Sequence, residues 1–242
     1  MALVAAEEVL AEAEPQGIGK CHIKKELEMK EMAKKFLTAG ERTEIEARIA
    51  EAEKRTSGEI VVMVVPSSYH YPLASMIGST LLAMLLGIAV ALLTGRETMW
   101  FFLEVFALSF IVLHEVLKRT PLLKRLFVTA SDMKEEVEEA AINSFYHKDI
   151  NQTTDHTGIL IYISLFEHNV RVVADRGINA KVDKELWQEI VGIIIRGIKS
   201  KGQAAAICAA VDRCAEILAT HFPLKIGDRN ELANEVIIGR GR

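Results

Sequence analysis

Cysteine is scarce in this chain: among 242 residues there are three, Cys21, Cys208 and Cys214, an odd number with no CxxC spacing. Neither a disulfide framework nor a zinc site follows from them. On a helix Cys208 and Cys214 would sit about 240° apart, so they read as small apolar fillers on different faces. Charge of one sign is lacking too. Lys and Arg number 29 against 33 Asp and Glu, a formal charge of -4, and the two signs are interleaved, so no concentrated basic surface is offered to nucleic acid. No Walker loop, HExxH, GxSxG or GxGxxG occurs, which empties the strong motif classes of nucleotide binding and catalysis. The opening MALVAAEEVLAEAEPQG has acidic residues inside its apolar stretch and no basic lead, so it is not expected to act as a secretory signal.

Apolar residues make up 50% of the chain, and two runs concentrate them. Leu73 to Leu93 carries no charge, and as a helix it would be about 31 Å long, the thickness of a bilayer's hydrocarbon core. Met99 to Leu117 is less clean, with Glu104, His114 and Glu115 inside it, yet Trp100, Phe101 and Phe102 cluster at its start as interfacial aromatics do. Only Thr94 to Thr98 joins the runs. The expected result is an antiparallel transmembrane hairpin over 72–118 whose outer ends emerge on one side.

Charge then orients it. Lys118, Arg119, Lys124 and Arg125 flank the outer end, whereas the turn offers Arg96 beside Glu97. The positive-inside rule places both flanking segments in the cytoplasm, making this an integral membrane protein with the lipid bilayer as one partner. The same basic cluster, with Leu122, Leu123, Leu126 and Phe127 beside it, could instead lie along an anionic lipid surface.

Around the runs, periodicity marks the soluble elements. Thr38 and Glu41 form a capping box, and Ile45, Ile49 and Ala52 share one helical face until Gly58. Glu59 to Val65 is β-branched and almost wholly apolar, as in a strand covered on both faces. After the hairpin, Met133, Val137, Ala141 and Phe145 mark a helix with Ser131 or Asp132 as cap. Gly158 to Ser164 and Val170 to Asp175 read as a β-hairpin around LFEHN. Asp183 then caps a helix using Leu186, Trp187, Ile190, Ile194 and Ile198, and a last helix uses Ile207, Val211, Cys214 and Leu218 up to Pro223. The remainder reads as an irregular tail with one apolar patch, Val236 to Ile238.

No strand set on either side of the hairpin buries its own faces, so the two sides must share one sheet. The expected fold is α/β: a small sheet sandwiched by helices, interrupted by the hairpin. The expected organisation is an N-terminal helical extension over 1–37, a discontinuous α/β domain over 38–66 and 128–238, and the hairpin over 72–118.

The segments EAEKRTSGEIVVMVV (Glu51 to Val65) and TGILIYISLFEHNVRVVADRGI (Thr157 to Ile178), the tryptophan helix from Asp183, and Phe222-Pro223 followed by Asn230-Glu231-Leu232 together resemble the TPM domain family. That resemblance implies an α/β sandwich domain, often tethered to a membrane. It implies one of several roles: maintenance of a membrane protein complex, receptor modulation, phosphatase activity or calcium binding. The departure from the family's common layout is the hairpin's position after the first strand, inside the domain.

The candidate chemistry is thin. Asp155, Asp175 and Asp183 lie at strand and helix ends, where they serve as turn and cap residues or, if the sheet gathers them, as hard oxygen ligands for Ca²⁺ or Mg²⁺. His147, His156 and His168 have no ligand spacing and read as loop residues. Asn151-Gln152-Thr153 is a glycosylation sequon, coincidental on the cytoplasmic side. Glu104 lies about one and a half turns from the bend, near enough to snorkel to water or to meet Arg96. The leading functional expectation is an interaction or maintenance module for a membrane protein complex, with another membrane protein as partner. The alternative is a metal-dependent, phosphatase-like hydrolase.

Overall fold

A computed structural model of the chain describes residues 35–96, 98–225 and 230–239. Cys21 and all but the last residues of the expected N-terminal extension lie outside that range. The elements run α1 (Ala39–Glu53), β1 (Glu59–Val65), α2 (Pro72–Thr94), α3 (Met99–Arg119), α4 (Pro121–Arg125), α5 (Ala130–His147), β2 (Gly158–Ser164), β3 (Asn169–Ala174), α6 (Arg176–Asn179), α7 (Lys184–Lys199), α8 (Gln203–His221) and β4 (Ile237–Ile238).

The described strands form one mixed sheet in the order β3-β2-β1-β4. β1 runs parallel to β2 with Glu59 opposite Gly158 and Val65 opposite Ser164, and β2 pairs antiparallel with β3. Every residue of β1 and β2 is buried, because alternate side chains feed two cores. Ile60, Val62, Val64, Ile159, Ile161 and Ile163 point into a core with α1, α7 and α8. Val61, Met63, Val65, Leu160 and Tyr162 pack against Val137, Ala141 and Phe145 of α5. This is the expected sandwich, and each such Val or Ile stabilises it by roughly 1.5–3 kcal/mol.

Local signals mostly hold. Thr38 caps α1 through a full capping box with Glu41, and Cys208 and Cys214 are buried in the first core. Three expectations shift. The cap of α5 is Thr129, whose hydroxyl accepts from the Asp132 amide, so the hydroxyl two residues before Ser131 wins the capping role. Asp175 lies beyond β3 and caps α6. The tail is not wholly irregular, since Ile237 and Ile238 add β4 to β1, opposite Met63 and Val64.

α2 and α3 pack antiparallel along a line of small residues on α2 (Ala74, Ser75, Gly78, Ser79, Ala83 and Gly87), while α3 buries only Leu117 of its own side chains. Both helices are long and apolar enough to cross a membrane. Their outer faces present large apolar groups to the surroundings, with Leu93 87% and Trp100 78% exposed.

Candidate functional site

The N-terminal ends of β1 and β2 and the C-terminal end of β3 lie at one end of the sheet, and the segment 230–239 passes Glu59 there before adding β4 beside β1. Three carboxylates hold that segment, and one of its own ties it back to the loop before β2. Glu53, at the end of α1, accepts from the Ile60 amide at 3.0 Å and the Asn234 side chain at 2.6 Å. Glu59 accepts from the Glu231 amide at 3.0 Å, and Glu46 from the Val236 amide at 3.1 Å. Glu231 in turn accepts from the Thr154 amide at 2.8 Å and its hydroxyl at 2.5 Å. Burial, with the charge of Glu59 beside it, pushes the Glu53 carboxyl up to about 7, although the bonds from Ile60 and Asn234 favour its charged form. A carboxyl so placed exchanges its proton near neutrality.

The sequence-predicted aspartates flank this end of the sheet in different roles. Asp155 is exposed and paired with Lys225 at 2.5 Å. Asp175 is buried, and its Oδ1 accepts from the Arg176 amide at 2.6 Å. Asp183 stands at the start of α7 without a side-chain capping bond. His156 stands between Arg176 and Asp175: its Nε2 lies 2.5 Å from the Arg176 guanidinium and its Nδ1 3.3 Å from the Asn151 carbonyl. Nδ1 also lies 3.3 Å from Asp175 Oδ2, a buried oxygen that makes no hydrogen bond. Gly177 lets α6 come this close, since a Cβ there would meet the His156 carbonyl oxygen at 2.5 Å. As a Ca²⁺ or Mg²⁺ site the set offers one buried oxygen without a hydrogen bond, on Asp175, with Lys225 paired to Asp155 and Arg176 beside His156. Among the described residues no group of three or more His, Cys, Asp or Glu is placed to share an ion. His147 is exposed at the end of α5.

The opposite end of the sheet receives the hairpin. Glu167, in the β2–β3 turn and 4% exposed, accepts from the Ser67 hydroxyl, the Ser68 amide and the Tyr71 hydroxyl, each at 3.1 Å, and from Ser164. Tyr71, the last residue before α2, is left-handed at φ 44°, a strained conformation for an aromatic residue that costs about 1–3 kcal/mol. Burial and Glu167 push its phenol well above the ordinary range. Sequence reasoning missed Glu167, because in LFEHN it has the look of a solvated turn residue and its partners lie about a hundred positions away.

The basic residues of the last turn of α3 and of α4 divide. Arg119 pairs with Glu115 at 2.7 Å, and Arg125 lies 2.5 Å from His168 Nδ1, joining α4 to the β2–β3 turn; burial, then the Arg125 charge, lowers the His168 pKa. Lys118 and Lys124 line a cavity with His70 and His114. At the far end, Arg96 lies over the Phe101 ring, 5.3 Å from its centre, while Glu104 is exposed on α3.

A small mixed sheet between helical layers, latched at one end by its own C-terminal segment and entered at the other by an apolar hairpin, defines an α/β sandwich protein with an inserted helical pair. The family model of the TPM domain matches residues 32–80 and 117–217, more than half of the chain. The chain belongs to the TPM domain family, and the part between the matched segments is most of the hairpin. Among solved structures it is similar to the BA42 protein from the psychrophilic bacterium Bizionia argentinensis, at 21% identity and a TM-score of 0.54, covering 84% of this chain and 96% of that one. That likeness bears on the fold alone. A search of curated proteins found no match.

Proposed function

We propose that the chain is a membrane-anchored TPM domain acting as an interaction or maintenance module for a membrane protein complex, with its hairpin crossing the bilayer twice and its α/β domain on the cytoplasmic side. The observation that carries this reading is the join between hairpin and sheet. Tyr71 and Glu167 fix the start of α2 to the β2–β3 turn, and Arg125 with His168 fixes α4 to the same turn. A domain tied at two points holds a set attitude to the bilayer and so presents one face to a neighbour in it. The outer faces of α2 and α3 supply the apolar surface for lipid. The basic residues at the open end, against Arg96 at the turn, favour the cytoplasmic side.

The test is cross-linking in intact membranes followed by purification in mild detergent, together with single-cysteine labelling at the 95–98 turn and at exposed positions of α5. The expected result is a reproducible membrane-protein partner, with turn and domain labelled from opposite sides. A chain that stays monodisperse in buffer without detergent would overturn the anchoring, and one that never cross-links would overturn the module.

A further inference from the structure

The outer strand β3 leaves one side of its backbone unused. Asp175 donates its amide to the Gly158 carbonyl at 2.9 Å, and in the antiparallel register of β2 and β3 that bond fixes the alternation. Asn169, Arg171 and Val173 turn their N–H and C=O groups to β2, while Val170, Val172 and Ala174 turn theirs outward. β3 ends the sheet order. Among the described residues these outward groups meet one partner, the Asn179 side chain, which donates to the Ala174 carbonyl at 2.6 Å. The devices that blunt such an edge are missing. The strand NVRVVA has no proline or lysine, its register with β2 is unbroken, and Arg171 is paired with Glu138 of α5 at 2.5 Å.

We propose that this edge takes up an extended segment of a partner protein as a further strand, with one large aliphatic or aromatic side chain of that segment seated against α7. A cavity of about 280 Å³ lies between the start of β3 and the end of α7, lined by Ile163, Leu165, Val170, Ile195, Ile198 and Lys199 among others. Residues directly opposite each other on neighbouring strands set their side chains on one face. Val170, Val172 and Ala174 pack on the first core, which α7 shares, so an incoming residue opposite Val170 projects to the cavity side. Backbone bonds supply affinity that any extended chain can use, and the cavity selects among chains.

A second copy of this chain fits less well. In the antiparallel register that uses all three outward residues, a two-fold axis at Val172 sets Ala174 of one copy opposite Val170 of the other, and a methyl group leaves the cavity unfilled. No single charge sign is favoured, because Lys199 and the Arg125 that lies on His168 are accompanied by Glu167, whose charge also acts on His168. A bulky apolar residue on an extended strand meets both conditions. β3 starts at the β2–β3 turn, to which Tyr71 and Arg125 fix the two ends of the hairpin, so the open edge is continuous with that join. The partner's segment therefore lies close to the bilayer surface, a step that rests on the interaction-module reading above.

The experiment uses the full chain in non-ionic detergent. Random peptides displayed on phage are selected on it, and the selected peptide is the probe for calorimetry and for amide exchange by NMR. Photo-cross-linking from Asn169 in intact membranes runs in parallel. The expected result is a peptide with one large apolar residue, whose binding slows exchange of the Val170, Val172 and Ala174 amides. Binding should weaken roughly tenfold or more in Val172→Pro, which removes an outward N–H and spares the ladder to β2. N-methylation of the peptide at alternate residues, which leaves the protein's folding untouched, should abolish binding in one phase and spare it in the other. Asp183→Asn, at the other end of α7, should bind as the parent does. Failure to select any peptide overturns the proposal, and so does binding that Val172→Pro and N-methylation both leave intact. Dimers of the chain that Val172→Pro dissolves would give the edge to a second copy and overturn the assignment of a partner. A membrane partner still captured by Val172→Pro, with peptide binding lost, overturns the edge as docking surface and leaves the module standing. Peptide binding with no partner captured supports the edge and counts against the module.

Discussion

Asn234 donates its side-chain amide to Oε2 of Glu53 at 2.6 Å, across 181 positions of sequence. The bond joins the segment that carries β4 to the end of α1, and it falls on a carboxyl whose proton affinity is raised to neutrality. Burial first, and the Glu59 charge second, lift Glu53 from the ordinary 4.5 to about 7.

A carboxyl with a raised folded-state value holds its proton more tightly in the native than in the unfolded chain. Its contribution to stability is therefore complete below pH 4.5 and is lost as pH climbs through about 7. The melting temperature should fall by on the order of a few °C between about pH 5 and pH 8. In Glu53→Gln, which cannot ionise, that part of the slope should vanish, leaving the variant the more stable of the two above neutrality. Parallel profiles for the two proteins would show that Glu53 titrates elsewhere.

Glu167 takes four donors in a buried setting, so truncating it strands several of them at once. Glu167→Ala should destabilise the domain by roughly 3 kcal/mol, Glu167→Gln by less because the amide oxygen still accepts, and Tyr71→Phe by about 1 kcal/mol. Chemical denaturation in detergent, followed by near-ultraviolet circular dichroism, measures all three. A Glu167→Ala protein as stable as its parent would mean that the turn is not the seat of the hairpin.

Much of this arrangement was legible from residues close together in sequence. The Thr38–Glu41 box, the full lengths of β1 and β2 and the two apolar helices follow from capping chemistry and from unbroken β-branched or uncharged runs. What stayed hidden depends on separation. Glu53, Glu59 and Glu167 look like solvated charges until the sheet brings donors from remote segments to them. β4 was missed because two residues are too few for any periodicity to show, leaving only an apolar patch whose partner, Met63–Val64, is supplied by the fold. Thr129 was passed over for Ser131 and Asp132 because all three are good caps, and only the approach of the chain from α4 chooses among them.

Asp175 joins the candidate metal set to local capping, and the two roles separate experimentally. As a cap for the Arg176 amide, Asp175→Ala should lose about 1 kcal/mol while Asp175→Asn, which keeps the acceptor, stays within about 0.5 kcal/mol. Millimolar Ca²⁺ or Mg²⁺ should move the melting temperatures of parent and Asp175→Asn equally. A rise in the parent alone would give Asp175 an ion to bind, since a ligand held only by the native state stabilises it.

The turn between α7 and α8 is closed so tightly that a Cβ on Gly197 would stand 2.0 Å from the Cβ of Ala206. Neither atom can rotate away, because each is fixed to its helix backbone, so Gly197→Ala must push the two helices apart. Both helices contribute Ile190, Ile194, Ile207 and Val211 to the first core, and the loss should be about 1–3 kcal/mol despite the better helix propensity of alanine. Ala206→Gly alone should cost about 1 kcal/mol, from propensity. In the double variant the clash disappears while the two propensity changes cancel, so its stability should return to within about 0.5 kcal/mol of the parent. Denaturant midpoints of the four proteins complete the cycle, and simple additivity of the two single losses would show that this close approach is not what holds the turn.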